Sequence, residues 1–277
     1  MTNDIREAVR ERYGTIADRG GAAGCCETTD AVAVAVGTGS GCGCSVGATE
    51  SVDALGYTEE QRAAIPAGSD LGLGCGNPLA HAGVAKGETV LDLGSGAGID
   101  AFLAARETGP SGRVIGVDMT PSMLSRARAN AEKHGFENVE FRLGEIESLP
   151  VADGAVDLII SNCVINLSPD KPRVFREALR VLRPGGRMVV SDVVLVAELP
   201  ESVRQSVEAY VGCVAGASMK DDYLRMFEDA GFERVEVVEE KRYGTAGLEE
   251  HGETAARTAE AVRSVKVRAF KPAERRP

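Results

Sequence analysis

Three isolated cysteines stand at positions where a thiol could do chemistry. Cys163 follows directly on the apolar run at residues 156–162, and Cys75 and Cys213 each lie in a glycine-rich segment. The apolar run has the composition of a buried parallel strand. Because ligands of open α/β sheets bind at the carboxyl ends of the strands, the thiol of Cys163 is expected to face a bound ligand. Three candidate sulfur ligands favour chemistry on a soft element.

A glycine-rich turn supplies a second candidate site. It has the pattern G-x-G-x-G at residues 94–98 and follows an apolar strand at residues 89–93. Asp92 stands just before the turn, and Asp118 ends the next strand, where a carboxylate can accept hydrogen bonds from ribose hydroxyls. Together these features predict a cofactor that carries a ribose. A nicotinamide dehydrogenase and a turn that serves only to pack a helix on a strand are the alternatives.

The segment Gly144-Glu145-Ile146 follows the third strand and completes this pattern. With the turn and the two aspartates it resembles the class I S-adenosylmethionine methyltransferases. The resemblance implies that Asp92 faces the methionine end of the cofactor, Asp118 the ribose, and Glu145 with Ile146 the adenine. The full set expected to bind S-adenosylmethionine is Asp92, Gly94, Ser95, Gly96, Gly98, Asp118, Met119, Glu145, Ile146 and Asn162.

The methyl acceptor is indicated by the scarcity of bases. Oxygen and nitrogen acceptors usually need a positioned base to remove a proton. The chain has three histidines, of which His81 and His251 lie in polar segments and His134 lies late in a helix. An acceptor with its own lone pair needs no base. Trivalent arsenic held by thiolates is such an acceptor, and thiolates suit soft ions.

A narrower resemblance rests on three segments that contain these cysteines. They are similar to the signatures of bacterial arsenite methyltransferases, and the likeness runs over about residues 56–240. The segments are LGLGCGNP at 71–78, ISNCVINLSPDK at 160–171 and YVGCVAGA at 210–217.

The resemblance implies that Cys75, Cys163 and Cys213 bind arsenic(III), and that arsenite and then methylarsenite are methylated there after arrival as thiol complexes. It also implies that a further N-terminal cysteine exchanges disulfides, and Cys44 is our first choice because it lies closest to the folded domain. Glutathione or a thioredoxin-like protein would then be the reductant. Carbon methylation of a quinone-like molecule and a thiol-based metalloid-binding or sensing protein are the alternatives.

The elements that must position these residues alternate between strand and helix from residue 86 onward. They predict an α/β fold, a Rossmann-like class I methyltransferase whose seven-stranded, mostly parallel sheet carries helices on both faces. Strands are expected at 89–93, 113–118, 139–143, 155–162, 187–193, 234–239 and 265–270. Helices are expected at 3–18, 58–65, 98–107, from Thr120 and Pro121 onward, at 171–182, 201–216 and 220–230.

Three chain segments follow from this pattern. Residues 1–66 hold a helix and an arm rich in Cys and Gly, residues 67–196 form the cofactor-binding core, and residues 197–277 form an arsenic-binding helical region with the last strands. The arm contains Cys25, Cys26, Cys42 and Cys44, whose spacing lacks the usual pairs of a zinc site made of four cysteines. Residues 244–262 match no element of the family.

Composition limits the class of protein. The 277 residues carry a net charge of −11, which disfavours nucleic acid as a partner. No window approaches the roughly 20 apolar residues of a membrane span, and the polar N-terminus does not resemble a secretory signal. An odd number of cysteines, seven, suits reduced thiols in the cytoplasm. A cytoplasmic monomer is therefore expected.

Overall fold

The computed structural model describes residues 2–20, 55–242 and 252–273. One seven-stranded sheet organises them, in the order β3-β2-β1-β4-β5-β7-β6. The pairings from β3 through β5 are parallel, and β7 runs antiparallel to both β5 and β6. The seven-stranded, mostly parallel sheet is thus confirmed. The strands are β1 Thr89–Leu93, β2 Arg113–Asp118, β3 Val139–Leu143, β4 Val156–Asn162, β5 Leu182–Leu195, β6 Glu233–Arg242 and β7 Val262–Phe270.

Helices lie on both faces of the sheet, as expected. Successive side chains of a strand point to opposite faces. Accordingly Val90 packs in a cluster with Phe102 on one face, while the adjacent Leu91 packs in a cluster with Phe175 and Phe227 on the other. The α-helices are α1 Thr2–Arg19, α2 Glu59–Ala64, α3 Leu79–Ala82, α4 Ile99–Thr108, α5 Pro121–His134, α6 Lys171–Val181, α7 Glu201–Arg204, α8 Val207–Val211, α9 Lys220–Ala230 and α10 Glu253–Ala261.

The two expected N-caps differ. Thr58 forms a complete capping box with Gln61 at the start of α2. Thr120 occupies the cap position of α5, but its side chain makes no capping hydrogen bond. Its backbone N–H instead donates to Asp118 Oδ1 at 2.8 Å. The chain therefore uses the start of α5 to hold Asp118.

The single helix expected over residues 201–216 was wrong. The chain forms the short helices α7 and α8 and leaves helical geometry after Val211. Cys213 has a φ of 63°, in the left-handed region, which a right-handed helix cannot contain. Gly216 lies so close to the backbone carbonyl of Asn166 that any Cβ would overlap it. Packing onto the loop after β4 thus overrides helix propensity here.

Long ladders extend the last strands beyond their expected ends. β5 pairs with β7 from Arg187 opposite Phe270 to Leu195 opposite Val262. Residues 253–261, within the stretch that matched no family element, form α10, whose small residues pack in the cluster that contains the three cysteines. No helix among the described ranges is both long and apolar enough to cross a membrane.

Candidate active site

The turn between β1 and α4 has the geometry that its glycines allow. Gly94, Gly96 and Gly98 have φ values of 64°, 52° and 98°, a region that only glycine adopts without penalty. A Cβ at Gly94 would stand 2.5 Å from Cγ2 of Val164, the residue after Cys163. This glycine therefore lets the turn lie directly against the loop that carries Cys163.

Two buried polar atoms beside the turn lack partners. Asp92 Oδ2 and Ser95 Oγ make no hydrogen bond with any residue that the structure describes. An unpaired buried polar group costs about 1–3 kcal/mol, so such groups call for a ligand or water. Burial raises the pKa of Asp92 well above its usual range, and the nearby Asp100 and Asp118 raise it further. A cationic ligand would relieve this repulsion. The amine and sulfonium of S-adenosylmethionine supply such charge, so these residues fit that cofactor.

Asp118 is held rigidly at the end of β2. Its Oδ2 accepts a hydrogen bond from Gly96 N at 2.9 Å, and its Oδ1 accepts one from Thr120 N. The adjacent Met119 is partly buried against the cluster that contains the three cysteines. The carboxylate is thus fixed beside the glycine turn, and Met119 extends from there toward the thiols.

The residues expected to contact adenine lie between β3 and β4. Ile146 is buried, and Glu145 faces α1, where its oxygens lie 3.9 Å from the guanidinium groups of Arg6 and Arg10. Arg6 also donates to Glu147 Oε1 at 3.0 Å. The N-terminal helix is therefore attached by ion pairs to this edge of the site.

Asn162, at the end of β4, ties the Cys75 loop to the sheet. Its Oδ1 accepts a hydrogen bond from Cys75 N at 3.0 Å, and its Nδ2 donates to Gly76 O at 2.7 Å and to Asp100 Oδ2 at 3.1 Å. Asp100 also accepts a hydrogen bond from Tyr57 at 2.7 Å. The hydrogen bonds of Asn162 support the thiol loop, and the expected contact of Asn162 with the cofactor stays a prediction.

The three thiols meet although they come from distant parts of the chain. Cys75, Cys163 and Cys213 are 6%, 9% and 4% exposed and belong to one apolar cluster. The sulfur of Cys163 lies within 4.8 Å of that of Cys75 and interacts electrostatically with that of Cys213. The thiol of Cys213 donates to the Cys163 carbonyl at 3.0 Å, and that of Cys75 to the Ser191 carbonyl at 3.4 Å. Cys44 and the other arm cysteines lie outside the described residues.

Two of these cysteines have a strained backbone. Cys163 and Cys213 have φ values of 58° and 63°; the third non-glycine residue in this region, within the described ranges, is Arg234. A left-handed conformation costs a residue with a Cβ about 1–2 kcal/mol. Strain that persists at two residues of one pocket points to a function for their side chains.

The surroundings of Cys75 and Cys163 keep these two thiols protonated until a ligand replaces their protons. Burial raises the pKa of Cys75, whereas the pKa of Cys163 is raised well above its usual range first by the other two thiols and then by burial. Three thiolates cannot be held so close together without a positive centre among them. An ion that binds several sulfurs would release the protons and stabilise the cluster.

Asp192 is the main residue that sequence reasoning missed. Its carboxylate and the sulfurs of Cys75 and Cys163 all lie within 4.8 Å of one another. It is fully buried, and burial raises its pKa to about 7. A signal existed, because Ser191 and Asp192 interrupt the apolar run of β5 near the carboxyl end, and Ser191 pairs with Asn162, the residue before Cys163.

The helix α1 also enters the pocket unexpectedly. The hydroxyl of Tyr13 donates to Val211 O at 3.3 Å and lies near enough to the thiol of Cys213 to interact with it electrostatically. Val9 lies in the same apolar cluster as the three cysteines. The sequence showed an amphipathic helix but not what its apolar face covers.

The histidine His81 makes a hydrogen bond with Glu239 at 3.4 Å.

Comparison with known proteins finds related methyltransferases. A family model described as a methyltransferase domain matches residues 85–231. An arsenite methyltransferase from Halobacterium salinarum is 54% identical over 234 residues, 84% of this chain and 59% of that protein. The human arsenite methyltransferase is 40% identical over 152 residues, 52% of this chain and 40% of that protein. The chain thus spans about 40–60% of the length of these curated relatives.

The match to one solved structure covers a larger share of that chain than the matches to the curated relatives do. The crystal structure of an arsenic(III) S-adenosylmethionine methyltransferase from Chlamydomonas reinhardtii is 39% identical in sequence, with a TM-score of 0.65. The match covers 80% of this chain and 73% of that one. Its extent goes beyond the methyltransferase domain itself.

Proposed function

The chain belongs to the arsenite methyltransferase family of S-adenosylmethionine-dependent enzymes, and we propose that it methylates trivalent arsenic, as arsenite and then methylarsenite, on the thiols of Cys75, Cys163 and Cys213. The observation that carries the proposal is the presence of three buried cysteines in one apolar cluster beside the glycine turn. Detoxification of arsenic would be the outcome.

S-adenosylmethionine, when bound, supplies an electrophilic methyl group to the arsenic lone pair. The unpaired oxygen atoms of Asp92 and Ser95 would hold the charged end of the cofactor, and Asp118 would bind its ribose. The glycine turn gives close backbone approach. Met119, Ile146 and the exposed part of Glu145 would line the remainder of its site.

The thiol pocket binds arsenic by exchange. Arsenite delivered as a complex with three small thiols passes arsenic to the cysteines, and each cysteine proton leaves with a released small thiol. The exchange therefore balances in protons without a protein base. Soft thiolate ligands suit arsenic, and holding it in a fixed place beside the glycine turn supplies positioning, a large part of the acceleration of two-reactant chemistry.

Turnover requires a reductant. Methylation uses the lone pair of arsenic and leaves it formally pentavalent, and two cysteine thiolates can return two electrons by closing a disulfide. Cys75 with an arm cysteine, Cys44 as first choice, would form that disulfide, and thioredoxin or glutathione would reduce it by thiol exchange. Such chemistry needs the reducing conditions of the cytoplasm, where we place a monomeric enzyme.

The alternatives make less use of the structure. A carbon methyltransferase acting on a quinone would leave three clustered thiols, two of them on strained backbone, without a role. A metalloid sensor would leave the unpaired atoms beside the glycine turn without a ligand.

A direct assay tests the proposal. Purified full-length protein is incubated with arsenite, a small thiol, thioredoxin and S-adenosylmethionine, and the arsenic species are separated over time. Methylated arsenic that appears with wild-type protein and not with Cys163→Ser supports the function. Stoichiometric arsenite binding without any methylated product would favour the sensor, and product formation that is equal in both proteins would overturn the thiol site.

A further inference from the structure

A carboxylate completes a second set of ligands inside the thiol pocket. The sulfurs of Cys75 and Cys163 and an oxygen of Asp192 lie within 4.8 Å of one another, and all three residues are buried. Arsenic held by three sulfurs leaves this carboxylate unused. We propose that Cys75, Cys163 and Asp192 form a binding site for a thiophilic divalent cation of the zinc type, which competes with arsenic for the two shared thiols.

The ligand types match such an ion. Zinc binds cysteine sulfur at about 2.3 Å and carboxylate oxygen at about 2.0–2.2 Å in tetrahedral geometry, so its ligands lie roughly 3.5–4 Å apart. The observed group needs only small side-chain rotations to reach that spacing. Cys213 does not belong to the group whose ligand atoms lie within 4.8 Å of one another, so the fourth tetrahedral position is left to a water molecule. A borderline-soft ion accepts this mixture of sulfur and oxygen, whereas arsenic(III) is satisfied by sulfur alone.

The carboxylate is already oriented by its own partners. Asp192 Oδ1 accepts hydrogen bonds from Asn166 Nδ2 at 2.8 Å and from Val193 N at 2.9 Å, and Oδ2 accepts one from Tyr223 at 2.9 Å. Hydrogen bonds of this kind fix the ligands of metal sites and are part of their affinity. Each oxygen has two acceptor positions, so Oδ2 retains one for a cation.

The ammonium group of Lys171 offsets the negative charge of the proposed metal complex. Two thiolates and a carboxylate around a divalent ion leave one net negative charge. The ammonium of Lys171, which is half-buried, interacts electrostatically with both Asp192 and Cys213, and burial lowers its pKa. Lys171 Nζ donates to Ser168 O at 3.4 Å, which keeps it at the start of α6. The pocket thus holds a counter-charge for the anionic complex.

The first test uses the unmodified protein. Reduced, metal-free full-length protein is loaded with one equivalent of 113Cd, a spectroscopic substitute for zinc, and its NMR chemical shift reports the numbers of sulfur and oxygen ligands. A shift typical of mixed sulfur and oxygen ligation, lost when arsenite is added, is expected. A shift typical of four sulfurs, or a signal that arsenite leaves unchanged, would overturn the proposal.

The second test separates the two ligand sets. Zinc and arsenite affinities are measured for wild type, Asp192→Asn and the exposed control Asp221→Asn, zinc by competition with a chelator. Asparagine retains the shape at 192, and its amide can donate to Tyr223. Asp192→Asn should lower zinc affinity at least tenfold and change arsenite affinity less than about twofold, while Asp221→Asn changes neither. Equal zinc affinity in all three proteins, or zinc binding that survives Cys163→Ser, means surface binding only and refutes the site.

The competition rests on the proposed function, but zinc binding does not. If no methylated arsenic forms while the zinc results hold, only the proposed function fails. If methylation occurs and zinc neither binds at Asp192 nor slows it, only the present inference fails.

Discussion

The cofactor edge and the thiol pocket lie side by side but are built in opposite ways. The cofactor edge, from Asp92 to Asp118, comes from two consecutive strand-to-helix turns. The thiol pocket combines α1, the Cys75 loop, the ends of β4 and β5 and the segment after α8; the hydrogen bond from Tyr13 to Val211 alone spans 198 residues. A local motif can therefore encode the first, whereas only the completed fold assembles the second.

The two regions also treat backbone strain differently. At the cofactor edge every left-handed position is a glycine, so the turn carries no strain from a Cβ. In the thiol pocket two cysteines occupy left-handed positions at a cost of about 1–2 kcal/mol each. The pocket therefore needs the side chain at these two positions, since glycine would be favoured for the backbone alone.

Replacing a cysteine of the thiol pocket should have the largest effect on activity. Cys163→Ser and Cys213→Ser should each abolish arsenic methylation, because a hydroxyl is a hard and protonated substitute for a thiolate. Cofactor affinity, measured by calorimetry, should stay within about twofold. Normal turnover in either variant, or oxygen-ligated arsenic by X-ray absorption, would remove that cysteine from the site.

The contact between the regions is the next target. Gly94→Ala introduces a Cβ at a φ of 64° and places it 2.5 Å from the side chain of Val164. Left-handed strain and overpacking together should lower the free energy of unfolding by about 2–5 kcal/mol. Urea unfolding measures it, and both cofactor and arsenite binding should weaken. The control Gly135→Ala has a φ of 70° and nothing within 4 Å, so it isolates the strain. Equal losses in the two variants would show that the contact is unimportant.

A pH experiment examines the polar support between the regions. Burial raises the pKa of Asp100 to about 6, while hydrogen bonds from Tyr57 and Asn162 oppose the rise. The folded protein favours the protonated carboxyl of Asp100. The contribution of this group to the free energy of unfolding is therefore fully present below about pH 4 and is lost as the pH rises through about 6. Asp100→Asn does not titrate, so its stability relative to wild type should rise between pH 4.5 and pH 7.5 by at most about 3 kcal/mol. Urea unfolding at several pH values measures this difference, and a difference independent of pH would contradict the assignment.

A milder change addresses the cofactor edge alone. Asp118→Ala should weaken S-adenosylmethionine binding by about 1–3 kcal/mol, the scale of hydrogen bonds that involve a charged group. Arsenite binding should change little, since its thiols lie in the other region. Calorimetry with both ligands distinguishes the outcomes. Unaltered cofactor affinity would show that this carboxylate does not bind the ribose.

The smallest effect measures the strain itself. The free energy of unfolding of Cys163→Gly should exceed that of Cys163→Ala by about 0.5–1 kcal/mol. The reason is that relief of left-handed strain outweighs the extra conformational freedom that glycine gives the unfolded chain. The same pair at Cys75, which is not among the left-handed residues, should favour alanine. If glycine and alanine were equal at position 163, the backbone there would not be strained.

The features that could be predicted from the sequence are those that depend on residues close together along the chain. The bounds of β1, β2 and β3 agree with expectation to the residue, and the seven-stranded, mostly parallel sheet is confirmed. Alternating apolar strands and helices carry this information within short windows. The glycine turn and Asp118 were likewise found from local spacing. The sequence contexts of Cys75, Cys163 and Cys213 drew attention to these thiols, and the family resemblance implied that they bind arsenic.

Only the tertiary structure decided which other residues surround the thiols. Neither Tyr13 nor Asp192 carried a local signal strong enough to place it against Cys213 or Cys163, and the unwinding after α8 reversed a sound helix expectation. The reason is physical: contacts between distant segments depend on the packing of the whole sheet. Propensity is worth less than about 1 kcal/mol per residue and yields when packing requires another conformation. Apolar residues that recur with a period of 2 or 3.6 specify the strands and helices. The packing of the complete core determines which side chains come together at the ends of these elements.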